Sequence, residues 1–350
     1  MKKGDAKPRS GILAAGNWIV DKLKFVDVYP AQDALANISS EAVANGGSPF
    51  NLLIALAKLG APFPLAGLGL IGADADGDWI LDRCAEHKID AAQLTRHTGA
   101  HTSYTDVMIV EKTGRRTFFH QRGANAFLDA RHFDFGRATG KIFHLGYLLL
   151  LDALDKPDPK FGSVAARVLA KAKKAGFRTS IDLVSEDSRR FVKIVRPALR
   201  QVDYCFLNEF ELERTTGIGV RGRRGVNMKA LQKAADGLLA AGVREWVIVH
   251  FPEGACAVGQ GRWVVKQGSL RIPQSRIVSA VGAGDAFAAG VLYALHEELD
   301  METALRYGVC AAASCLLGAG ASDGLRPLRE CLSLAKRFPP RRLPTRQGSS

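Results

Sequence analysis

From about Lys141 onward, short apolar runs alternate with amphipathic stretches of helical period, and this alternation limits the fold more than any other feature of the chain. The runs Ile142–Leu145, Thr179–Leu183, Tyr204–Leu207 and Trp246–Val249 read as buried strands. Gly162–Ala175, Met228–Ala241 and Met301–Leu317 read as the helices between and after them. Strands separated by helices of this length need crossover connections, so an α/β fold with a mostly parallel central sheet is expected. The first third of the chain reads differently. Residues 11–20 look like a buried strand running on into an exposed one, and Trp18–Tyr29 alternates apolar with charged positions. Thr105–Glu111 and Arg116–Gln121 read as two more half-exposed strands around the turn Lys112-Thr113-Gly114-Arg115. Strands wet on one face do not belong inside a sheet covered on both. A small second sheet, with strands at about 18–40 and 102–122, is therefore expected as a lid over one edge. Helical runs at Asn51–Leu59 and Asp78–His87 lie between the two lid segments.

One helix entrance carries chemistry. Ala286–Leu295 reads as an apolar helix, and Gly282-Ala283-Gly284-Asp285 stands at its N-terminus. The first turn of a helix presents unpaired N–H groups and the positive end of the macrodipole, which attract anions. The glycines would let a phosphate approach the backbone without a Cβ in the way. Asp285 would then be positioned to take a proton from an attacking hydroxyl. Taken alone, the same pattern reads first as an Asp N-cap after a glycine-rich turn.

Several function classes recede on composition. No apolar run reaches the roughly 18 residues needed to span a bilayer, and the basic, polar start is a poor secretory signal. Six cysteines, Cys84, Cys205, Cys256, Cys310, Cys315 and Cys331, are scattered without a CxxC pair, so reduced thiols in a cytoplasmic protein are expected. The formal net charge of +13 invites a nucleic-acid reading, but most of it sits at the two ends. Lys2, Lys3, Lys7 and Arg9 oppose only Asp5 in a basic N-terminal tail, 1–10, and Lys336, Arg337, Arg341, Arg342 and Arg346 are unopposed in a C-terminal tail, 336–350, expected to be disordered. Arg221-Gly222-Arg223-Arg224 reads as a solvated basic loop. Basic tails aid solubility without defining a recognition surface, so neither nucleic acid nor membrane is expected as a specific partner. The segment Gly67-Leu68-Gly69-Leu70-Ile71-Gly72 matches the dinucleotide pattern G-x-G-x-x-G. It runs into the acidic turn Ala73-Asp74-Ala75-Asp76-Gly77 instead of a helix, and Glu86 and Asp90 read as lying on or beside a helix, so no dinucleotide site follows. No P-loop pattern occurs.

Taken in order, the motifs resemble the ribokinase-like (PfkB) carbohydrate kinases over about residues 11–328. Gly16-Asn17-Trp18-Ile19-Val20-Asp21 resembles the first strand of that family, with Asp21 on substrate hydroxyls. Gly46-Gly47-Ser48-Pro49-Phe50-Asn51 resembles the Gly-Gly-x-x-x-Asn signature beside the sugar, and Gly72–Gly77 the G-x-D-x-x-G loop. Gly123-Ala124-Asn125 matches a segment after the second lid hairpin. Asn208-Glu209-Phe210-Glu211 resembles N-x-x-E, tied to magnesium and phosphate, and Gly282-Ala283-Gly284-Asp285 the anion hole and catalytic Asp. The resemblance implies a three-layer αβα kinase domain at 11–335 with a small β-sheet lid. It also implies ATP and Mg2+, with Asp21, Gly46, Gly47, Asn51 and Asn125 toward the substrate. Asn208, Glu211, His250 and Gly254 would lie toward the nucleotide, with Glu211 and Asn208 steering Mg2+ mainly through water.

Two departures qualify the pattern. Ser279-Ala280-Val281 stands where the family has Asp-Thr-Thr, so the carboxylate of a monovalent-cation site is missing. His250-Phe251-Pro252-Glu253-Gly254 replaces T-x-G-x-x-G on the nucleotide side and retains only Gly254. The expected activity is transfer of the γ-phosphoryl of ATP to a hydroxymethyl group of a ribose- or fructose-like sugar. Nucleosides are a second substrate class. A phosphorylated sugar is a third, because Lys22, Lys24, Arg115, Arg116 and Arg122 fall on or near the lid strands. A sugar-binding relative without catalysis is the competing class, and a homodimer paired through the lid is the expected assembly.

Overall fold

The computed structural model describes residues 9–136, 138–186, 188–223 and 225–343. The strands are β1 (Ile12–Gly16), β2 (Ile19–Val26), β3 (Ile38–Gly46), β4 (Leu65–Gly72), β5 (Asp90–His97), β6 (Ser103–Val110), β7 (Arg116–Gln121), β8 (Ile142–Leu148), β9 (Arg178–Leu183) and β10 (Tyr204–Asn208). They continue with the short pair β11 (Arg221–Gly222) and β12 (Gly225–Val226), then β13 (Trp246–Phe251), β14 (Gly254–Gly259) and β15 (Trp263–Gly268). The helices are α1 (Ser48–Leu59), α2 (Ala75–Glu86), α3 (Val164–Lys174), α4 (Phe191–Leu199), α5 (Glu209–Thr216), α6 (Met228–Ala241), α7 (Ala283–His296), α8 (Met301–Cys315) and α9 (Leu328–Arg337).

Nine strands form one sheet in the order β15-β14-β13-β10-β9-β8-β1-β4-β5. From β13 to β5 neighbours run parallel, while β14 and β15 close one edge antiparallel. Alternate residues of each strand feed opposite cores. In β1, Ile12 and Ala14 join the cluster under α1, α7 and α8, whereas Leu13 and Ala15 join the one under α3, α4 and α6. Burial on both faces explains the unbroken apolar runs of the sequence. From β1 the chain builds outward to β4 and β5 on one side and later to β8, β9 and β10 on the other. That reversal is a topological switch point, and the crevice beyond the carboxyl ends of β1 and β8 is where ligands gather in such sheets.

The second sheet, β3-β2-β6-β7, is the lid. Its inner face is set by register: Asp21 pairs with Ala44 and Thr105, Thr105 with His120, and Ile109 with Arg116. No helix among the described residues is long and apolar enough to cross a membrane.

Four sequence expectations need correction. Residues 336–343 are not a loose tail: α9 runs to Arg337, Phe338 is buried, Pro340 bridges Leu270, and the Arg341 N–H donates to the Ser269 carbonyl at 2.8 Å. The basic residues of α9 mask an amphipathic stripe of Leu328, Cys331, Leu332 and Ala335. Arg9 likewise belongs to the domain, donating to the Gly140 and Ala175 carbonyls and lying over the Phe177 ring at 4.0 Å. Asp90 opens strand β5 and does not flank a helix. Finally, Arg221 is not merely solvated, since it pairs with Glu209 at 2.9 Å and Glu253 at 2.8 Å. The remaining ends, 1–8 and 344–350, and Arg224 lie outside the described residues.

The glycines of the G-x-G-x-x-G segment have a packing cause. A Cβ on Gly67 or Gly69 would lie 2.6 or 2.3 Å from the Trp18 ring, and the Trp18 indole N–H donates to the Leu68 carbonyl at 3.0 Å. They clear a seat for a buried indole in mid-strand.

Candidate active site

Helix α7 begins three residues earlier than its apolar run suggested, so Ala283, Gly284 and Asp285 form its first turn. Gly282 is the N-cap at φ 71°, a left-handed conformation, and a Cβ there would meet the Ala321 carbonyl oxygen at 2.4 Å. Only glycine fits both demands. The Ala286 N–H returns to the Gly282 carbonyl at 2.8 Å, and that of Ala283 reaches the Ala280 carbonyl at 3.4 Å. No acceptor among the described residues takes the N–H groups of Gly284 and Asp285. Gly284 keeps the approach open, since a Cβ on it would lie 3.1 Å from the His250 ring.

Asp285 is 5% exposed and held by two donors from distant segments. The Asn51 amide donates to Oδ2 at 2.8 Å, and the Tyr147 hydroxyl reaches Oδ1 at 2.7 Å and Oδ2 at 2.8 Å. Asn51 is itself fixed by the Asn45 amide, at 2.7 Å, and Asn45 by the Ser322 hydroxyl, at 2.8 Å. Burial raises the Asp285 carboxyl to about 6, and the hydrogen bonds from Asn51 and Tyr147 oppose that rise. A group near 6 is ionised at neutral pH and still basic enough to receive a proton.

Asp21 lies on β2, where Gly46 makes room: a Cβ on Gly46 would sit 2.3 Å from the Asp21 carboxylate. Burial and then the Asp285 charge push Asp21 up to about 8, against a hydrogen bond from Thr105. The Thr105 hydroxyl also pairs with His120 Nδ1 at 3.0 Å. Gly47, at φ 82°, opens α1 and lets the chain pass against the Asn17 carbonyl.

At the end of β10, Asn208 and Glu211 form a reciprocal cap on α5. The Asn208 side chain accepts from the Glu211 N–H at 2.9 Å, while Glu211 accepts from the Asn208 N–H at 2.9 Å and from the Ser185 hydroxyl at 2.8 Å. Burial raises Glu211 to about 7, and the neighbouring Glu209 and Asp285 charges add to it. Asp182, at the end of β9, is raised well above the usual carboxylate range by burial, then by Asp285 and Glu211.

Two cavities meet at this helix entrance. One, of about 600 Å³, lies beneath the lid and is lined by Asp21, Gly47, Asn51, Tyr147, Asp182 and Asp285 among others. The other, of about 640 Å³, lies between β13–β15 and α8 and is lined by His250, Phe251, Gly254, Phe287 and Arg341 among others. Asn208, His250, Ala280 and Gly284 border both. Burial lowers His250 to about 4, leaving a neutral imidazole. Gly254 lies tight against β15, where a Cβ would meet the Gln267 carbonyl at 2.3 Å.

Asn125 is placed otherwise than its motif implied. Its amide donates to the Trp18 carbonyl at 3.0 Å and accepts from the Trp18 N–H at 3.2 Å, so it is spent on the β1–β2 junction and does not line the lid cavity. Asp74 of the G-x-D-x-x-G loop likewise ties α2 to β6, accepting from the Gly77 and Thr102 N–H groups at 2.9 and 2.8 Å. Tyr147 and Asp182 were not singled out from the sequence. Asp182 had a signal, an acid at the carboxyl end of a parallel strand; Tyr147 had none.

Sheet, lid and helix entrance together define a sugar-kinase architecture. The chain belongs to the pfkB family of carbohydrate kinases, whose model matches residues 16–327. It is 24% identical over 332 residues to a ribokinase of Arabidopsis thaliana, covering 93% of this chain and 81% of that one. Among solved structures, it resembles A. thaliana ribokinase complexed with ribose and ATP at a TM-score of 0.74 and 22% identity, covering 94% of this chain and 99% of that chain. A structure designated ribokinase II from E. coli, with ATP and Mg2+, aligns at a TM-score of 0.73 and 19% identity over 94% of this chain and 99% of that one. Membership makes this protein a phosphotransferase with an alcohol acceptor.

Proposed function

We propose that this carbohydrate kinase transfers the γ-phosphoryl group of ATP to a hydroxymethyl group of a ribose- or fructose-sized sugar, with Asp285 as the base. The observation that carries this reading is the position of Asp285, buried in the first turn of α7 where the two cavities join, beside two N–H groups without an acceptor among the described residues. ATP would occupy the cavity of β13–β15, and its terminal phosphate would meet the N–H groups of Gly284 and Asp285. The sugar would lie beneath the lid against Asp21, Gly46, Gly47 and Asn51. As the bond from the acceptor oxygen to the γ-phosphorus forms, the bond to the β–γ bridging oxygen breaks, ADP departs and the hydroxyl proton passes to Asp285. A proton acceptor held by Asn51 and Tyr147 needs no reorientation during that step.

The donor set fits Mg2+. Asp182 and Glu211 are buried carboxylates, each raised by burial and by the Asp285 charge, and a cation beside them would relieve that. Mg2+ keeps several of its waters, so it asks few direct ligands of the protein. Glu211 and Asn208, with Asp182, would hold it through those waters, and when bound it would offset charge on the phosphates. Ser279-Ala280 supplies no carboxylate for a monovalent cation, so turnover independent of potassium is expected.

The test is ADP release with ATP and Mg2+ across a panel of sugars, sugar phosphates and nucleosides. Asp285→Asn should lower turnover by roughly 10² to 10⁴ on the best substrate. Turnover within a few-fold of wild type would remove Asp285 from the chemistry.

A further inference from the structure

Five basic residues lie on or near the lid strands; three of them have acidic partners and a fourth is exposed. Lys22 pairs with Asp76 at 2.8 Å, Lys24 with Asp106 at 3.0 Å and Arg122 with Asp152 at 2.8 Å, while Arg115 is exposed at the hairpin turn. Arg116 differs from all of these. It lines the lid cavity on the face shared by Phe118 and His120, and burial alone lowers its pKa. Among the described residues its guanidinium makes no ion pair and no hydrogen bond, and it lies over the Phe118 ring at 5.9 Å. A half-buried guanidinium offers five N–H donors, and these face the cavity available to a ligand. The cavity acids do not serve it. Arg116 stands opposite Ile109, four pairs along the ladder from the Thr105–His120 pair that neighbours Asp21, which is about 13 Å of strand.

We infer that the acceptor sugar carries an anionic group, carboxylate or phosphate, on the end remote from the hydroxyl that meets Asp285, and that Arg116 is the residue that selects it. This rests on the kinase reading above and narrows its substrate to sugar acids or sugar phosphates. Arg116 presents a planar fork matched to two oxygens of either group, at the end of the cavity away from the Asp285 carboxylate. Selection works by both means: the arginine attracts the charged end, and the Asp285 carboxylate disfavours the reversed orientation.

The experiment is calorimetric titration of the whole protein with fructose, fructose 6-phosphate and gluconate, using wild type, Arg116→Gln and Arg116→Lys, with ADP release measured in parallel. At least one anionic ligand should bind wild type roughly 10- to 100-fold more tightly than fructose, and which one does so separates phosphate from carboxylate. Arg116→Gln should erase that preference and Arg116→Lys should retain part of it. Fructose binding as tightly as both anions, or all three ligands weakened by one common factor in Arg116→Gln, overturns the inference. Charge-selective binding without ADP release would count against the kinase reading alone; ADP release with a preference for fructose would count against the anion site alone.

Discussion

Replacing Tyr147 with Phe tests how the base is tuned. The Tyr147 hydroxyl donates to both oxygens of Asp285, so its loss removes a hydrogen bond to a charged group while leaving the ring in place. Such bonds contribute about 1.5–3 kcal/mol, and 1.36 kcal/mol corresponds to one pKa unit, so the Asp285 carboxyl should rise by roughly one to two units. It stands at about 6 in the wild type, where burial is opposed by Asn51 and Tyr147. The base acts only when ionised, so activity climbs with pH through this value, and the acid limb of kcat/KM should move up to about 7–8 in the variant. Worked as ionised fractions, the loss is about 3- to 25-fold at pH 6.5 and nearly gone by about pH 9. The assay is kcat/KM against pH from 5.5 to 9.5 for both proteins, with thermal unfolding as a check on folding. A loss equal at every pH, with the acid limb unmoved, would falsify the claim that Tyr147 works by holding the charge on Asp285.

Three further outcomes follow from the same geometry. Gly282→Ala must adopt φ 71° and push against the Ala321 carbonyl, so the first turn of α7 shifts; turnover should fall by up to ~10²-fold with a higher KM for ATP, seen in steady-state kinetics. Gly69→Ala drives a Cβ into the Trp18 ring, which is not part of the lid-cavity lining, and should cost about 1–3 kcal/mol in denaturant unfolding. In the ligand-free protein Asp285, Glu211 and Asp21 are raised to about 6, 7 and 8, so the stability tied to their protonated forms is present at low pH and lost as pH rises through those values. Melting temperature should therefore fall between pH 5.5 and 8.5, and Asp21→Asn should flatten the upper part of that fall; a wild-type curve rising across the window would refute the assignment.

Much of this molecule was open to reading before its structure. The parallel sheet followed from apolar runs spaced by helices, and the lid from half-wet alternation at 18–29 and 105–121, because both periods are local properties of the backbone. The helix entrance at 282–285 was legible for the same reason: a left-handed N-cap, an open first turn and an acid must be consecutive to work at all. Elements with mixed signals were harder. The helix Leu328–Arg337 lay hidden among its own basic residues, and β5, β14 and β15 carry no motif.

Contacts between distant segments have no such local trace. Asn51 and Tyr147 lie 234 and 138 residues from the carboxylate they hold, and nothing in their neighbourhoods marks that pairing. Asn125 sits in the Gly123-Ala124-Asn125 motif yet spends its amide on Trp18, and Gly67 and Gly69 imitate a nucleotide fingerprint while making way for an indole. Arg116 was one of five lid cations until folding gave three of the others acidic partners and left a fourth in solvent. The order of residues thus determined the layers and the helix entrance, where periodicity and backbone conformation act over a few residues. Tertiary packing alone decided which side chains are buried together, and burial with its partners is what gives a carboxylate its basicity or a guanidinium its vacancy.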